Sequence, residues 1–192
     1  VVEEPTLDRT GELMRQVDLV VATGGGPMVK AAYSSGKPAY GVGPGNACQI
    51  IAEDADIAAA ADMIAKSKTF DNATSCSSEN SLVIQDSVYD AMIAALVSHG
   101  GYLLSAEEKK TLLNYMWVPN KKGVVGINAK IVAKSAREIA MGAGLSVPEN
   151  TTMLLVKGDM PLEDDRFAHK KLSPVMTLFR YGEFAEGFDI LR

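Results

Sequence analysis

The stretch VDLVVATGGGPMVKAAYSSGKPAYGVG, residues 17–43, decides the fold class of this chain. Val17–Ala22 is a short apolar run that predicts a buried strand, and a glycine turn separates it from the helix-compatible segment Met28–Tyr33. Pro38–Gly43 predicts a second strand, because proline cannot continue the preceding helix. The order strand, turn, helix and strand is typical of an α/β fold with parallel strands.

The same alternation of strands and helices continues along the rest of the chain. We predict further strands over 47–52, 82–85, 102–104 and 152–156. We predict helices over 57–70, 87–98, 106–116 and 128–141, with a loop over 118–126. This alternation predicts an α/β domain whose sheet is mostly parallel and is flanked by helices.

Composition limits the classes of function that this chain can have. The 192 residues carry a net charge of -5 and are 47% hydrophobic, which is the balance of a folded globular protein. The acidic excess argues against a nucleic-acid or membrane partner, so we expect small-molecule partners. No apolar run is long enough to cross a bilayer, so we expect a cytoplasmic location. Cys48 and Cys76 lack the spacing of zinc ligands, so we expect reduced thiols and no metal site.

Two glycine-rich turns each follow a predicted strand. The first is Gly24–Gly26 and the second is Gly41–Gly45, and either one alone is compatible with an ordinary structural turn. Neither has the glycine spacing of a dinucleotide-binding or P-loop motif. Together they are more informative, because ligands of parallel α/β sheets bind beyond the carboxyl ends of the strands. We therefore expect a ligand crevice near both turns.

Cys76 lies in the polar segment KTFDNATSCSSEN, residues 68–80, between a predicted helix and a predicted strand. Hydroxyl and amide neighbours, together with free backbone N–H groups, could stabilise a thiolate and then an oxyanion. These properties suit a covalent nucleophile, and an inert turn cysteine is the alternative interpretation. Cys48, in contrast, lies in an apolar strand and is interpreted as a core residue.

Several segments resemble the aldehyde dehydrogenase superfamily, and specifically its coenzyme-A-acylating branch. The matching runs include VVATGGGPMVKAAYSSGKPAYGVGPGN, SKTFDNATSCSSENSLVI, HGGYLL, GLSVPENT and FAHKKLSPVM, and they occur in family order over nearly the whole chain. This branch includes the aldehyde half of bifunctional aldehyde-alcohol dehydrogenases. Within it, FDNATSCSSENS is most similar to acylating sulfoacetaldehyde dehydrogenases.

The resemblance implies a reaction at Cys76. Its thiolate would attack an aldehyde, pass a hydride to NAD or NADP, and hold the acyl group as a thioester until coenzyme A accepts it. Hydrolytic members of the family have a water-activating glutamate where this sequence has Gly41, and glycine cannot act as a base. The resemblance therefore favours coenzyme A as co-substrate, with sulfoacetaldehyde as the first choice of aldehyde and acetaldehyde as the second.

The resemblance also implies which residues bind the cofactor. It places the backbone of Gly24, Gly25, Gly26 and Gly43 near the nucleotide. Lys170 departs from the family, which usually has a glutamate there that holds the nicotinamide ribose. A lysine cannot accept those hydrogen bonds but could meet a phosphate. NAD and NADP both stay open.

The family's chains are much longer than this one. By resemblance we expect residues 1–42 to be the C-terminal part of a cofactor-binding domain and 43–192 to be most of a catalytic domain. We expect the chain to be a fragment, which alone could be inactive, of a protein that forms homo-oligomers. Two alternatives stay open, an acyl-phosphate reductase and a non-catalytic nucleotide-binding or assembly module, and Lys170 favours the latter.

Overall fold

A computed structural model describes residues 3–43, 45–160 and 164–191. The chain divides into two compact units, Val1–Gly45 and Asn46–Arg192. The α-helices are α1 Leu7–Gln16, α2 Gly26–Tyr33, α3 Ile57–Thr69, α4 Tyr89–Ser98, α5 Ala106–Met116, α6 Ala136–Gly142 and α7 Phe184–Leu191. The strands are β1 Val20–Thr23, β2 Ala39–Val42, β3 Cys48–Ile51, β4 Ser81–Gln85, β5 Gly101–Leu103, β6 Trp117–Pro119, β7 Val125–Ile127, β8 Met153–Lys157 and β9 Val175–Tyr181. None of the described helices combines the length and apolar character needed to cross a bilayer.

The first unit is built around β1 and β2, which pair in parallel with Val20 opposite Ala39. Its small core consists of Met14, Val20, Ala22 and Ala32, contributed by α1, β1 and α2. The predicted order of strand, helix and strand is therefore confirmed. Helix α1 was not predicted, although Thr6 caps it by accepting a hydrogen bond from Arg9 N at 3.2 Å.

The second unit contains a five-stranded sheet in the order β3-β4-β9-β8-β5, and all four pairings are parallel. Adjacent residues of β8 show how the sheet divides the core, since successive side chains of a strand point to opposite faces. Leu155 packs in a cluster with α3 and α4, whereas Leu154 packs in a second cluster with α5 and α6. The predicted α/β fold with a mainly parallel sheet flanked by helices is confirmed.

One predicted loop, over 118–126, is wrong because it contains an antiparallel hairpin. Strands β6 and β7 pair with Val118 opposite Gly126. The Asn120 side chain closes the connecting turn by accepting hydrogen bonds from Lys122 N at 2.8 Å and Val124 N at 3.0 Å. An asparagine side chain can replace a backbone carbonyl in this way, which stabilises the turn between two short strands.

The helix predicted over 128–141 is also wrong in its first half. Ala129–Ile131 forms a single 3₁₀ turn, and Ala133 has a positive φ of 60° that interrupts any helix. Helix α6 begins only at Ala136, where Ser135 and Glu138 form a capping box. Glu138 N donates to Ser135 Oγ at 3.3 Å, and Ser135 N donates to Glu138 Oε2 at 3.0 Å.

Candidate functional site

Residues 74–80, which we call the cysteine turn, follow helix α3 after the short 3₁₀ segment Phe70–Ala73. Cys76 lies at the tip of this turn, and its thiol is exposed and free. Ser78 N donates to Ser75 O at 3.2 Å and closes the turn around the cysteine. Among the described residues, no acceptor is bonded to the backbone N–H of Cys76 or Ser77. The exposed thiol therefore lies beside two available hydrogen-bond donors.

The chain enters the cysteine turn through three consecutive residues in the left-handed conformation. Asp71, Asn72 and Ala73 have φ values of 48°, 50° and 58°. Aspartate and asparagine tolerate this region better than most residues, whereas alanine adopts it at a cost of about 1–2 kcal/mol. Asn72 Nδ2 donates to Ala133 O at 3.0 Å, and Thr74 Oγ1 donates to Asp71 O at 2.8 Å. These hydrogen bonds hold the reversal that brings Cys76 to the surface.

Asn80 fixes the other end of the cysteine turn. Its buried Nδ2 group donates to Ala168 O at 3.1 Å and to His169 O at 3.0 Å. Its Oδ1 accepts from Lys171 N at 3.2 Å, and its own backbone N–H donates to Ala47 O at 2.7 Å. Because its buried side chain is fully hydrogen-bonded, Asn80 connects the turn to both neighbouring chain segments.

Two lysines are buried below the cysteine turn. Lys68 Nζ donates to Glu79 O at 2.6 Å, and Lys171 Nζ donates to Phe167 O at 2.5 Å and to Thr177 Oγ1 at 3.0 Å. Burial lowers the pKa of Lys68 to about 7, with the Glu79 carboxylate opposing that shift. Burial also lowers the pKa of Lys171 well below its usual value, and the nearby charge of Lys68 lowers it further.

Lys170 is the predicted site residue that the structure brings to Cys76. Its Nζ donates to Cys76 O at 3.3 Å, and its side chain is partly exposed. Within the described part of the chain, Lys170 forms no ion pair with a carboxylate. An ammonium group therefore lies directly beside the turn that carries the exposed thiol.

Cys48 has very different surroundings. It lies in β3 and packs, half-buried, against a cluster formed by Val83, Phe179 and Tyr181. Burial raises the pKa of the Cys48 thiol to about 11, and the nearby Lys171 charge opposes that shift. The described residues contain no group of three or more histidine, cysteine, aspartate or glutamate side chains arranged to hold a metal ion.

The predicted cofactor glycines Gly24, Gly25, Gly26 and Gly43 lie in the first unit, at one end of β1 and β2. Gly24 N donates to Val42 O at 3.0 Å and thereby brings the two glycine turns together. A Cβ added at Gly26 or Gly43 would meet no described atom within 4 Å, so the backbone is open there. Gly25 is the N-cap of α2 and supplies no side chain to cover the helix N-terminus.

Comparison with known proteins places this arrangement in a family. The model of the aldehyde dehydrogenase family matches residues 10–153, which is well over half of the chain. This chain belongs to the aldehyde dehydrogenase family. The resemblance inferred from the sequence motifs is therefore confirmed, including its acylating branch.

Two relatives are similar to this aldehyde dehydrogenase chain over its full length. A sulfoacetaldehyde dehydrogenase from Acholeplasma sp is 56% identical over 191 residues, covering 100% of this chain and 39% of that protein. An acylating sulfoacetaldehyde dehydrogenase from Bilophila wadsworthia is 52% identical over 191 residues, covering 100% of this chain and 41% of that protein. The chain thus spans about two fifths of the length of these relatives.

Solved structures of acylating enzymes have the same fold. An acetylating aldehyde dehydrogenase from Geobacillus thermoglucosidasius superposes with a TM-score of 0.90 at 39% identity, covering 97% of this chain and 40% of that one. A propionaldehyde dehydrogenase from Rhodopseudomonas palustris, with bound CoA and an acylated cysteine, gives a TM-score of 0.84 at 28% identity. That alignment covers 98% of this chain and 42% of the other.

Gly41, for which the sequence resemblance implies a glutamate in hydrolytic relatives, is in a crowded position. A Cβ added there would lie 2.6 Å from Val29 Cγ1 and 2.8 Å from Tyr33 Cε2. The Gly41 N–H also donates to Tyr33 Oη at 3.1 Å. Close packing between α2 and β2 therefore requires glycine at this position, whatever its role in catalysis.

Sequence reasoning for this aldehyde dehydrogenase missed Lys68, Asn80 and Lys171. Lysine is rarely buried, so neither lysine is distinguished in the sequence from an ordinary surface residue. Asn80 lies in a polar run in which any side chain could face solvent. The pairing of β4 with β9, which places Ser81 opposite Thr177, brings Asn80 next to the segment that carries Lys171.

Proposed function

We propose that the whole protein oxidises a short aldehyde to its acyl-coenzyme A through a thioester on Cys76. The observation that carries this proposal is the exposed thiol on a turn that is held by hydrogen bonds from the buried side chains of Lys68 and Asn80. A reactive cysteine needs both access for substrate and a fixed geometry, and Cys76 has both. The names of the acylating relatives support the same reaction class.

The residues of the cysteine turn have defined tasks in this reaction. Cys76 Sγ forms a bond to the aldehyde carbon, and the carbonyl oxygen becomes an oxyanion within reach of the N–H groups of Cys76 and Ser77. NAD or NADP, when bound, would supply the acceptor for the hydride that leaves the aldehyde carbon. The thiolate of coenzyme A then attacks the acyl carbon, the bond to Sγ breaks, and the Cys76 thiolate is restored.

The first unit would hold the nucleotide. Gly26 and Gly43 offer backbone that no described side chain covers, and the N-terminus of α2 follows directly. Such an arrangement suits a phosphate or a flat ring, because backbone N–H groups can approach it closely. We assign Gly24, Gly25, Gly26 and Gly43 to this task for either NAD or NADP.

Coenzyme A is the proposed acceptor of the acyl group. Gly41 cannot activate water, and its packing against Val29 leaves no room for a glutamate that could. The thioester then persists until another thiol attacks it. A related propionaldehyde dehydrogenase has been solved with bound CoA and an acylated cysteine, which supports this order of events.

Sulfoacetaldehyde is the proposed substrate, with acetaldehyde as the second choice. Two relatives of more than 50% identity are named for sulfoacetaldehyde. We further propose that the whole protein is a cytoplasmic homo-oligomer. The free state of both cysteines supports a reducing compartment.

The test is formation of NADH or NADPH by the whole protein, with and without coenzyme A, on a small panel of aldehydes. We expect turnover of sulfoacetaldehyde that requires coenzyme A and that Cys76→Ser abolishes. Equal rates without coenzyme A would contradict the acylating reaction. Turnover that requires inorganic phosphate in its place would identify an acyl-phosphate reductase, and unchanged turnover by Cys76→Ser would exclude a thioester on Cys76.

A further inference from the structure

Lys170 has N–H donors beside Cys76 that the described structure does not use. Its ammonium group carries three donors, and the described structure uses one of them, toward Cys76 O at 3.3 Å. Within the described part of the chain, no carboxylate pairs with it. Since the side chain is partly exposed, its remaining donors are accessible to a ligand that binds beside the cysteine turn.

A positive charge, the ammonium group of Lys170, lies beside the cysteine turn in a chain whose net charge is -5. Lys68 and Lys171 add less positive charge at neutral pH, because burial lowers the pKa of Lys68 to about 7 and that of Lys171 well below its usual value. The Glu79 carboxylate interacts with Lys68, and within the described part of the chain it forms no ion pair with Lys170. An anion placed at Lys170 would therefore be favoured electrostatically.

The covalent chemistry indicates which anion this would be. The aldehyde is bonded to Cys76 Sγ during the reaction, so a substituent on the neighbouring carbon must stay within a few bonds of the turn. The phosphates of a dinucleotide are separated from its nicotinamide ring by a ribose, and they lie farther from the reacting carbon. The Ser75 and Ser77 hydroxyls hydrogen-bond to each other at 2.9 Å, which leaves one hydroxyl proton on the same turn for a group with several oxygens.

We propose that Lys170 binds the anionic end of the aldehyde, a sulfonate carried on the carbon next to the carbonyl group. This assignment makes Lys170 the residue that selects sulfoacetaldehyde over uncharged aldehydes of similar size. It rests on the function proposed above, and it differs from the expectation that Lys170 meets a phosphate of the cofactor. One donor stays on Cys76 O while the others hold the sulfonate oxygens.

The kinetic test compares Lys170→Gln and Lys170→Arg with the unmodified whole protein. We expect Lys170→Gln to lower kcat/KM for sulfoacetaldehyde about tenfold or more, mainly through KM, because a charged hydrogen bond is lost. Activity on acetaldehyde should change less than about threefold, and Lys170→Arg should retain most of the preference. Lys121→Gln, which removes an exposed lysine from the β6–β7 hairpin, is the matched control.

Two kinetic results would overturn the proposal. An equal fall for both aldehydes would show that Lys170 only positions the cysteine turn. A rise in the KM of NAD or NADP, with the preference between aldehydes unchanged, would place Lys170 at a cofactor phosphate instead.

A second test needs no turnover and separates this proposal from the proposed function. Ethanesulfonate should slow the alkylation of Cys76 by iodoacetamide in the unmodified protein, whereas ethyl methyl sulfone, a neutral molecule of similar shape, should not. Lys170→Gln should remove that protection, and Lys121→Gln should keep it. Protection that survives in Lys170→Gln would refute the assignment, even if the protein proves to be an acylating enzyme. Protection that depends on Lys170 would support it, even if no aldehyde is oxidised.

Discussion

The two cysteines differ in how far their side chains are exposed to solvent. Cys76 is exposed at the tip of a polar turn, whereas Cys48 is half-buried in β3 against aromatic and aliphatic side chains. Burial raises the pKa of Cys48 from 9.0 to about 11. Because the thiolate is the reactive form, that shift alone lowers the reactive fraction of Cys48 about 100-fold at neutral pH.

We therefore predict that iodoacetamide at pH 7.5 modifies Cys76 long before Cys48. Peptide mapping by mass spectrometry should find one labelled site in the native protein and two in urea. Cys48→Ser should leave the fast reaction unchanged, and Cys76→Ser should remove it. Similar labelling rates at both cysteines would show that the difference in burial does not control reactivity.

The sequence could predict the reactive residue but not the residues that hold it. Ser75, Ser77 and the adjacent helix boundary mark Cys76 as lying in a polar turn, which is a local property of the chain. The Lys68 side chain donates to a carbonyl group 11 residues away, and the Asn80 side chain donates to carbonyl groups 88 and 89 residues away. A lysine that donates to a buried carbonyl group can be identified only after the sheet has been assembled.

Substitution of Gly41 tests how tightly α2 packs against β2. We predict that Gly41→Ala lowers the free energy of unfolding by about 1–3 kcal/mol, because the new methyl group would overlap Val29 and Tyr33. Val29 cannot move away easily, since a β-branched side chain in a helix has one preferred rotamer. Hydrogen exchange at the amides of β1 and β2 measures the effect within this unit.

Gly43→Ala is the matched control for this change, because an added Cβ there meets no described atom within 4 Å. Its effect on protection of the same amides should stay within about 0.5 kcal/mol. Equal effects of the two substitutions would mean that loss of glycine flexibility, rather than crowding, decides stability at this end of the strands.

Regular elements were easier to predict than the places where they break. Strands β1, β2, β3, β4, β5 and β8 lie at predicted positions, because each is a short apolar run bounded by turn residues. The start of α6 was missed although Ser135 and Glu138 have the spacing of a capping box. The break before it depends on Ala133, whose left-handed conformation is held by contacts with distant residues and has no local signal.

The buried lysines make the stability of the second unit depend on pH. The pKa of Lys68 is about 7 in the folded protein and near its usual 10.5 when unfolded. Between these values the unfolded chain binds more protons, so the free energy of unfolding rises with pH across that window. Lys171 acts in the same direction, because its folded pKa is also lowered.

We predict that raising the pH from 7 to 8.5 increases the free energy of unfolding through Lys68 by on the order of 1 kcal/mol. Lys68→Met should remove this increment in urea titrations at the two pH values. The upper limit of 8.5 avoids the tyrosines with raised pKa values, whose effect on stability is opposite. Lys66→Met, which changes an exposed lysine of the same helix, should keep the full increment. A pH dependence that Lys68→Met leaves intact would contradict the prediction.

The three left-handed residues before the cysteine turn affect the order in which parts of the second unit lose their structure. Asp71, Asn72 and Ala73 have strained backbone conformations that only tertiary contacts maintain, so each would relax if those contacts were lost. Once the hydrogen bond from Asn72 to Ala133 O is broken, relaxation of these residues to ordinary backbone conformations lowers their free energy. The shape around Cys76 would therefore disappear while the sheet beneath it is still intact.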